Sequence, residues 1–345
     1  MILNDLTIDA FRGMNGVKLV QLAPISLVVG ANNAGKSSVL EAAALLLRPF
    51  DPAQWVQVAR QRDLDMPLVD GLWSLFPSDS PLQVDDGPKQ TKPLKIEGML
   101  QGQERKLVAS GLASLSWGSE ESEDLTLRVE SRVNHGENPT AIHTMEFRRE
   151  TPAQYSDKVH FFRSFTVTPA THRSTRHLVE HLSKVVDEGK KELAVELLSL
   201  FDEKVKGLDI SASRGRDGVR VTHGDRGVVD LASFGDGMRR SAALALALVR
   251  SQGGLLLVDE IEAGIHPRIL GQVFSKLIQA AKTAEVQILA TTHSLEAIDS
   301  LIGSCRNFAD NMATFYLHKR DKQIVVHRYD LENLIELRES GTDLR

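Results

Sequence analysis

The sequence predicts an α/β fold: a sheet lobe whose strands feed a ligand-binding edge, a helical lobe, and a compact β-rich insertion between them. Three observations carry this. The apolar run Ile25–Val29 leads straight into Gly30-Ala31-Asn32-Asn33-Ala34-Gly35-Lys36-Ser37-Ser38 and then into the helix formers Val39–Leu47. After about Val228 the pattern alternates helix and apolar strand, with helices over 237–250 and 267–283 and strands over 255–258 and 286–291. From Pro49 to about Thr151, clusters of Pro, Gly, Ser and Asp surround short strand-like pieces such as Leu94–Ile96, Leu125–Val129 and Thr144–Phe147.

Taken in order, Ile2-Leu3, Leu6–Ile8, Val17–Val20 and Ile25–Val29 read as strands divided by Gly13, Asn15, Gly16 and Pro24, all feeding the glycine-rich loop. Residues 174–206 carry Leu178, Leu182, Val185, Leu193, Leu197, Phe201 and Val205 at mostly helical spacing, with Gly189 marking a break. The region is too short for a long coiled-coil arm. Two further strands are expected at Thr314–Leu317 and Gln323–His327. The acidic run Ser119–Asp124 reads as a solvated loop.

With 345 residues, 42% apolar and 25% charged, the chain is long enough for a sizeable core. A net charge of -5 supplies no global attraction to nucleic acid or anionic lipid. The single cysteine, Cys305, has no partner for an internal disulfide. No basic-then-apolar leader opens the sequence and no apolar run reaches the length of about 18 residues that a membrane span needs. A cytoplasmic location without membrane contact is therefore expected.

Residues 30–38 fit G-x-x-x-x-G-K-[ST], a loop that binds a nucleoside triphosphate. Its glycines let backbone N–H groups face phosphate oxygens, Lys36 places a charge at the β- and γ-phosphates, and Ser37 offers a hydroxyl to Mg²⁺. The helix that follows brings its positive end to the same oxygens. Leu255–Val258 is a buried strand ending in Asp259 and Glu260: Asp259 suits the Mg²⁺ shell, and Glu260 suits the water that attacks the γ-phosphate. The strand Gln287–Thr292 ends in His293, within reach of the γ-phosphate from the next strand. Taken singly, a ligand-free turn, two surface acids or a strand-end histidine would explain each piece; their order along the chain points to one site. Ser233-Phe234-Gly235-Asp236-Gly237 opens another helix with exposed N–H groups, and because the chain already has its own phosphate loop, this segment is expected to complete the site of a second copy.

This order of motifs resembles the ABC-type ATPase superfamily, in the SMC-like and overcoming-lysogenization-defect-like branch of AAA_21 or AAA_15 type. The resemblance covers residues 1–48 and about 155–300: the Phe11-Arg12-Gly13 start, Gly30–Ser38 as Walker A, Ser233–Asp236 as a degenerate signature, Leu255–Glu260 as Walker B, Ile261–Pro267 as the D-loop, and His293 as the switch histidine. It implies an ABC-type head over 1–345, divided into an N-terminal lobe (1–48), insertion (49–154), helical region (155–230), motif-bearing segment (231–300) and C-terminal strands (301–345). It also implies two heads sandwiching two ATP molecules, with Arg12 as a nucleotide contact. Three departures stand out: Phe234 replaces a signature glycine, no Q-loop glutamine is evident, and a compact insertion replaces long arms.

About 50 residues follow His293, too few for a nuclease domain. A separate effector, a nuclease or toxin in bacterial anti-phage defence, is the expected partner alongside the second copy. The alternatives are a DNA-repair ATPase that closes on duplex DNA through Arg148, Arg149, Arg163, His172, Arg173 and Arg176, and the energising subunit of a transporter. Removing the loop's ammonium tests the nucleotide reading first. Lys36→Ala is expected to lose about 2 kcal/mol of binding, roughly 30-fold in Kd, in a titration with a fluorescent ATP analogue.

Overall fold

A computed structural model describes residues 1–62, 65–77, 82, 87–117, 123–148, 162–213, 216–305, 312–321 and 323–344. Arg149 and most of the acidic run, Ser119–Ser122, lie outside the described residues. The chain begins with β1 (Leu3–Ala10), β2 (Val17–Leu19) and β3 (Ile25–Val29), followed by α1 (Lys36–Leu47), α2 (Pro52–Arg60) and α3 (Leu68–Trp73). Strands β4 (Lys89–Gln90), β5 (Leu94–Leu100), β6 (Gln103–Trp117), β7 (Glu123–His135) and β8 (Asn138–Arg148) come next. Then follow β9 (Ser164–Val167), α4 (Thr175–Asp187), α5 (Lys191–Ser199), β10 (Val205–Ser213), β11 (Arg216–His223) and β12 (Gly227–Asp230). The last part runs α6 (Asp236–Arg250), β13 (Leu255–Val258), α7 (Leu270–Thr283), β14 (Gln287–Thr291), α8 (Leu295–Cys305), β15 (Met312–Arg320), β16 (Gln323–Asp330) and α9 (Leu331–Glu339). Among the described residues no helix is long and apolar enough to cross a membrane.

Three sheets organise these elements. The first is antiparallel, in the order β2-β1-β5-β6-β7-β8 with β4 paired to β6. The second, β16-β15-β3-β14-β13-β9, is parallel apart from β16. The third is a small antiparallel sheet, β10-β11-β12. One core lies between the first two sheets around α1, and a second lies on the far side of the parallel sheet under α4–α8. The central parallel strands read as unbroken apolar runs because both faces are covered: every residue of β3, β13 and β14 is buried.

Buried Gln287 ties the first two sheets together. Its Oε1 accepts from the N–H groups of Ile2 (3.0 Å) and Leu3 (2.9 Å), while its Nε2 donates to the carbonyls of Leu3 (2.7 Å) and Ala23 (3.2 Å). All four bonds cross from β14 to the N-terminal segment, so this side chain pairs buried backbone groups there.

Several expectations need correcting. Leu3–Leu6–Ile8 form one strand, and β1 and β2 belong to the antiparallel sheet with β5–β8 rather than beside β3. The stretch after Pro49 begins with two helices: Asp51 caps α2 by accepting from Ala53 N at 3.0 Å, with Pro52 in the first turn. The helical spacing read through Val205 ends at α5, and Val205 opens the three-stranded sheet instead. Those strands bury only a few apolar residues each, among them Val205, Leu208, Val219 and Val221, which leaves too little alternation to mark a strand in the sequence. The C-terminal part holds α8 and α9 besides its two strands. Gly189, at φ 66°, does separate α4 from α5.

His181 on α4 makes the fold sensitive to acid. Its ring meets Phe165 edge-on at 4.5 Å, and its Nδ1 faces Arg250 Nη1 at 3.1 Å. Burial first, then the Arg250 charge, lowers its pKa to about 4. Because the folded value lies below the unfolded one, near 6.5, this contribution is complete above pH 6.5 and is lost as pH falls towards 4. Urea unfolding is expected to lose up to about 3 kcal/mol across that window, and His181→Gln is expected to flatten the loss.

Candidate nucleotide site

Strand register brings the separate motifs to one edge. Val28 of β3 pairs opposite Thr291 of β14, and Ala290 opposite Val258 of β13, so the loop at Gly30, the acids Asp259 and Glu260, and His293 all leave the sheet at the carboxyl ends of adjacent strands. The loop itself needs its glycines. At Gly30, with φ 139°, a Cβ would lie 2.2 Å from the Leu317 carbonyl oxygen; Gly35 is left-handed at φ 99° and caps α1. Asn33 is also left-handed, at φ 62°. Ala31, Asn32 and Ala34 complete the turn, closed by the bond from Ala34 N to Ala31 O at 3.2 Å.

Lys36 Nζ donates to the carbonyls of Gly30 (2.7 Å) and Ala31 (2.9 Å), which hold the ammonium across the mouth of the loop. Burial lowers its pKa, while Asp259, Glu260 and Glu262 act the other way. Ser37 Oγ donates to Asp259 Oδ1 at 3.1 Å, and Thr291 Oγ1 donates to the same oxygen at 2.6 Å. Loop helix, acidic strand and histidine strand thus meet at one carboxylate.

Glu260 is a non-glycine residue with φ 47°, a strained conformation that its surroundings must hold in place. Its N–H donates to Thr291 Oγ1 at 2.9 Å. Its carbonyl accepts from Arg240 Nη2 at 3.2 Å, and the same guanidinium donates to the carbonyls of Asp259 (3.3 Å) and Thr168 (2.5 Å). Arg240 is fully buried on α6, and burial lowers its pKa to about 10, still far above neutrality. His293 Nδ1 lies 3.7 Å from a carboxylate oxygen of Glu260 and equally far from one of Glu262. The other Glu262 oxygen is buried without a hydrogen bond among the described residues.

Two of the residues named from sequence face elsewhere. Arg12 pairs with Glu41 of α1 at 2.8 Å and donates to Ser74 Oγ and the Val58 carbonyl, so it braces α1 from behind the loop. The buried Ser38 hydroxyl accepts from Arg62 at 2.6 Å, and Arg62 also grips Glu41. The signature-like segment keeps its contacts local: Ser233 Oγ donates to the Asp230 carbonyl at 2.7 Å, Phe234 lies under Arg226 and beside His223, and Asp236 faces His172, Arg173 and Arg239. Gly235 caps α6, and Gly237 approaches the Gly264 carbonyl. Of the residues considered for DNA, Arg149 lies outside the described residues, His172 is buried, Arg148 is tied to Glu146 at 2.9 Å, and in the chain β9 lies between Arg163 and the pair Arg173 and Arg176.

Residues 25–299 match the AAA_21 family, described as an AAA domain, putative AbiEii toxin, Type IV TA system. The chain belongs to the AAA_21 family. It is a P-loop ATPase. A Helicobacter pylori protein named ATP/GTP phosphatase is 22% identical over 363 aligned positions, covering 96% of this chain and 97% of that relative. An uncharacterised protein of Methanocaldococcus jannaschii is 32% identical over 113 positions, which are 32% of this chain and 99% of the relative. Among solved structures, the SMC head bound to the C-winged helix domain of ScpA superposes with a TM-score of 0.51 at 12% identity, covering 97% of this chain and 100% of that one. That likeness carries the fold: sheets and helices arranged as an ABC-type head.

Sequence reasoning missed Thr291 and Arg240 in this AAA_21 ATPase, although Thr291 stands in the histidine strand and Arg240 in the helix expected over 237–250. Thr291 ends the histidine strand, and Arg240 lies four residues after Asp236. Only their long-range partners mark them. Thr291→Val keeps the shape but removes the hydroxyl between Asp259 and Glu260; ATP affinity is expected to stay within about twofold while phosphate release slows about tenfold.

Proposed function

We propose that this chain binds and hydrolyses ATP with Mg²⁺, pairs with a second copy through the nucleotide, and uses that pairing to control a separate effector, a nuclease or toxin, in bacterial anti-phage defence. The observation that carries the reading is the division of labour within one chain. Loop, Asp259, Glu260 and His293 converge at one edge, whereas no hydrogen bond, ion pair or ring contact of Ser233, Phe234 or Asp236 described above reaches residues 30–38. A signature-like helix start with its own anion-ready N–H groups then has a role at the neighbour's phosphates.

The donor set fits a hard cation. The Ser37 hydroxyl and Asp259 carboxylate, already 3.1 Å apart, are oxygen ligands of the kind Mg²⁺ takes, with phosphate oxygens completing its shell. Bound there, the ion neutralises charge on the β- and γ-phosphates. Lys36 turns from the loop carbonyls to the same oxygens. Glu260 orients a water and accepts its proton as the water oxygen bonds to the γ-phosphorus and the bond to the ADP oxygen breaks. His293 donates an N–H to the departing phosphoryl group, steadied by Glu262.

The family description as a putative AbiEii toxin of a type IV TA system supports a toxin context for the effector part of this reading. Affinity purification of the native chain tests that part, since a co-purifying nuclease or toxin, a permease or a DNA fragment separates the three candidate roles. For the ATP cycle, Glu260→Gln is expected to bind ATP normally, to release phosphate at least 100-fold more slowly, and to sediment as a dimer with ATP. Unchanged phosphate release would show that another group activates the water.

A further inference from the structure

His172 occupies the middle of a one-turn helix, residues 171–173, just after β9. Because β9 runs parallel beside β13, with Val167 opposite Val258, this turn leaves the sheet where Asp259 and Glu260 do. The imidazole is completely buried, and neither ring nitrogen has a hydrogen-bond partner among the described residues. Burial, reinforced by nearby Arg240, lowers its pKa, so the neutral ring carries one N–H donor and one acceptor. Folded proteins seldom leave such a group unpaired.

Its neighbours belong to the two halves of the machinery. On one side, Nε2 lies 3.8 Å from Asp236 Oδ2, just beyond hydrogen-bonding distance. Asp236 is the first residue of α6 within the signature-like segment; its half-exposed carboxylate also faces Arg173 at 4.0 Å and Arg239 at 3.6 Å. On the other side, the ring packs against Gly264 in the loop that leaves Glu260. A Cβ at Gly264, where φ is 76°, would fall 3.3 Å from both Cε1 and Nε2. One turn along α6 from Asp236, Arg240 holds the carbonyls of Asp259 and Glu260. A single buried ring therefore touches both the helix end assigned to the neighbour's nucleotide and the loop carrying the hydrolytic glutamate.

We infer that His172 is a positioning residue that closes onto Asp236 when the signature-like segment engages the neighbouring copy's ATP. In the closed arrangement Nε2–H donates to Asp236 Oδ2, and the ring carries the Gly264 loop with it, setting Glu260 for attack. Occupancy of one site thereby licenses hydrolysis at the other. This rests on the two-copy reading above.

The test compares wild type, His172→Ala, His172→Gln, Asp236→Ala and the double alanine variant. Three readouts are taken well below each variant's melting temperature: steady-state hydrolysis, affinity for a fluorescent ATP analogue, and sedimentation with a non-cleavable analogue. His172→Ala is expected to lower kcat about tenfold or more, with KM and analogue affinity within about twofold and weaker analogue-driven association. His172→Gln, which retains an N–H donor in a folded core, is expected to recover most of the loss. The double variant is expected to fall no further than His172→Ala, since both substitutions remove one interaction. Normal kcat in both His172 variants, a loss confined to KM, or additive losses in the double variant would overturn the inference. Failure of wild type to associate with the analogue would overturn the two-copy reading; association with normal turnover in the His172 variants would overturn the role of His172 alone.

Discussion

The structure turns on a single carboxylate oxygen. Asp259 Oδ1 accepts from Ser37 at the start of α1, 222 residues away, and from Thr291 at the end of β14, 32 residues away, so three segments are joined at one point. Those bonds exist only while β3, β14 and β13 keep their register, because a shift of one residue would turn alternate side chains to the opposite face. The register in turn depends on apolar strands covered on both sides and on Gln287, which ties the N-terminal segment to β14. Chemistry at the edge is thus held by packing beneath it.

One strained residue stands at the site edge. Glu260 adopts a left-handed backbone that a glutamate would not choose, and two groups remote in sequence hold it there: Thr291 at its N–H and Arg240 at its carbonyl. Arg240 is buried among three backbone carbonyls, with the carboxylates of Glu262, Asp259 and Glu260 offsetting the cost of burying its charge. Because Arg240 belongs to α6, the helix that begins with the signature-like segment is mechanically connected to the loop carrying Glu260.

The phosphate loop, the strand ending in Asp259-Glu260 and the strand ending before His293 were legible because each is a contiguous run whose local chemistry is distinctive. The partnership of Thr291 with Asp259, and of Arg240 with the strand end, had no such local signal. Arg12 shows the converse: its place in an opening motif suggested a nucleotide contact, yet the fold sets Glu41 within 2.8 Å and adds Arg62 to the same buried carboxylate. The small β10–β12 sheet escaped notice because its few buried residues leave little periodicity. Helices α8 and α9 had usable patterns that strand-like neighbours obscured.

From sequence alone came the α/β class, the glycine-rich phosphate loop ahead of a helix, and the acidic strand end. These follow from short-range rules: glycine where the backbone must turn tightly, apolar runs where strands are covered, and acids where a strand meets the ligand edge. Tertiary structure alone decided which strands share a sheet, that Arg12 braces α1, that Arg240 and Thr291 hold Glu260, and that His172 lies between Asp236 and Gly264 without a hydrogen-bond partner among the described residues. The reason is that hydrogen bonds and burial act over distances in space, and only the folded chain brings residues so far apart in sequence within about 3 Å of one another.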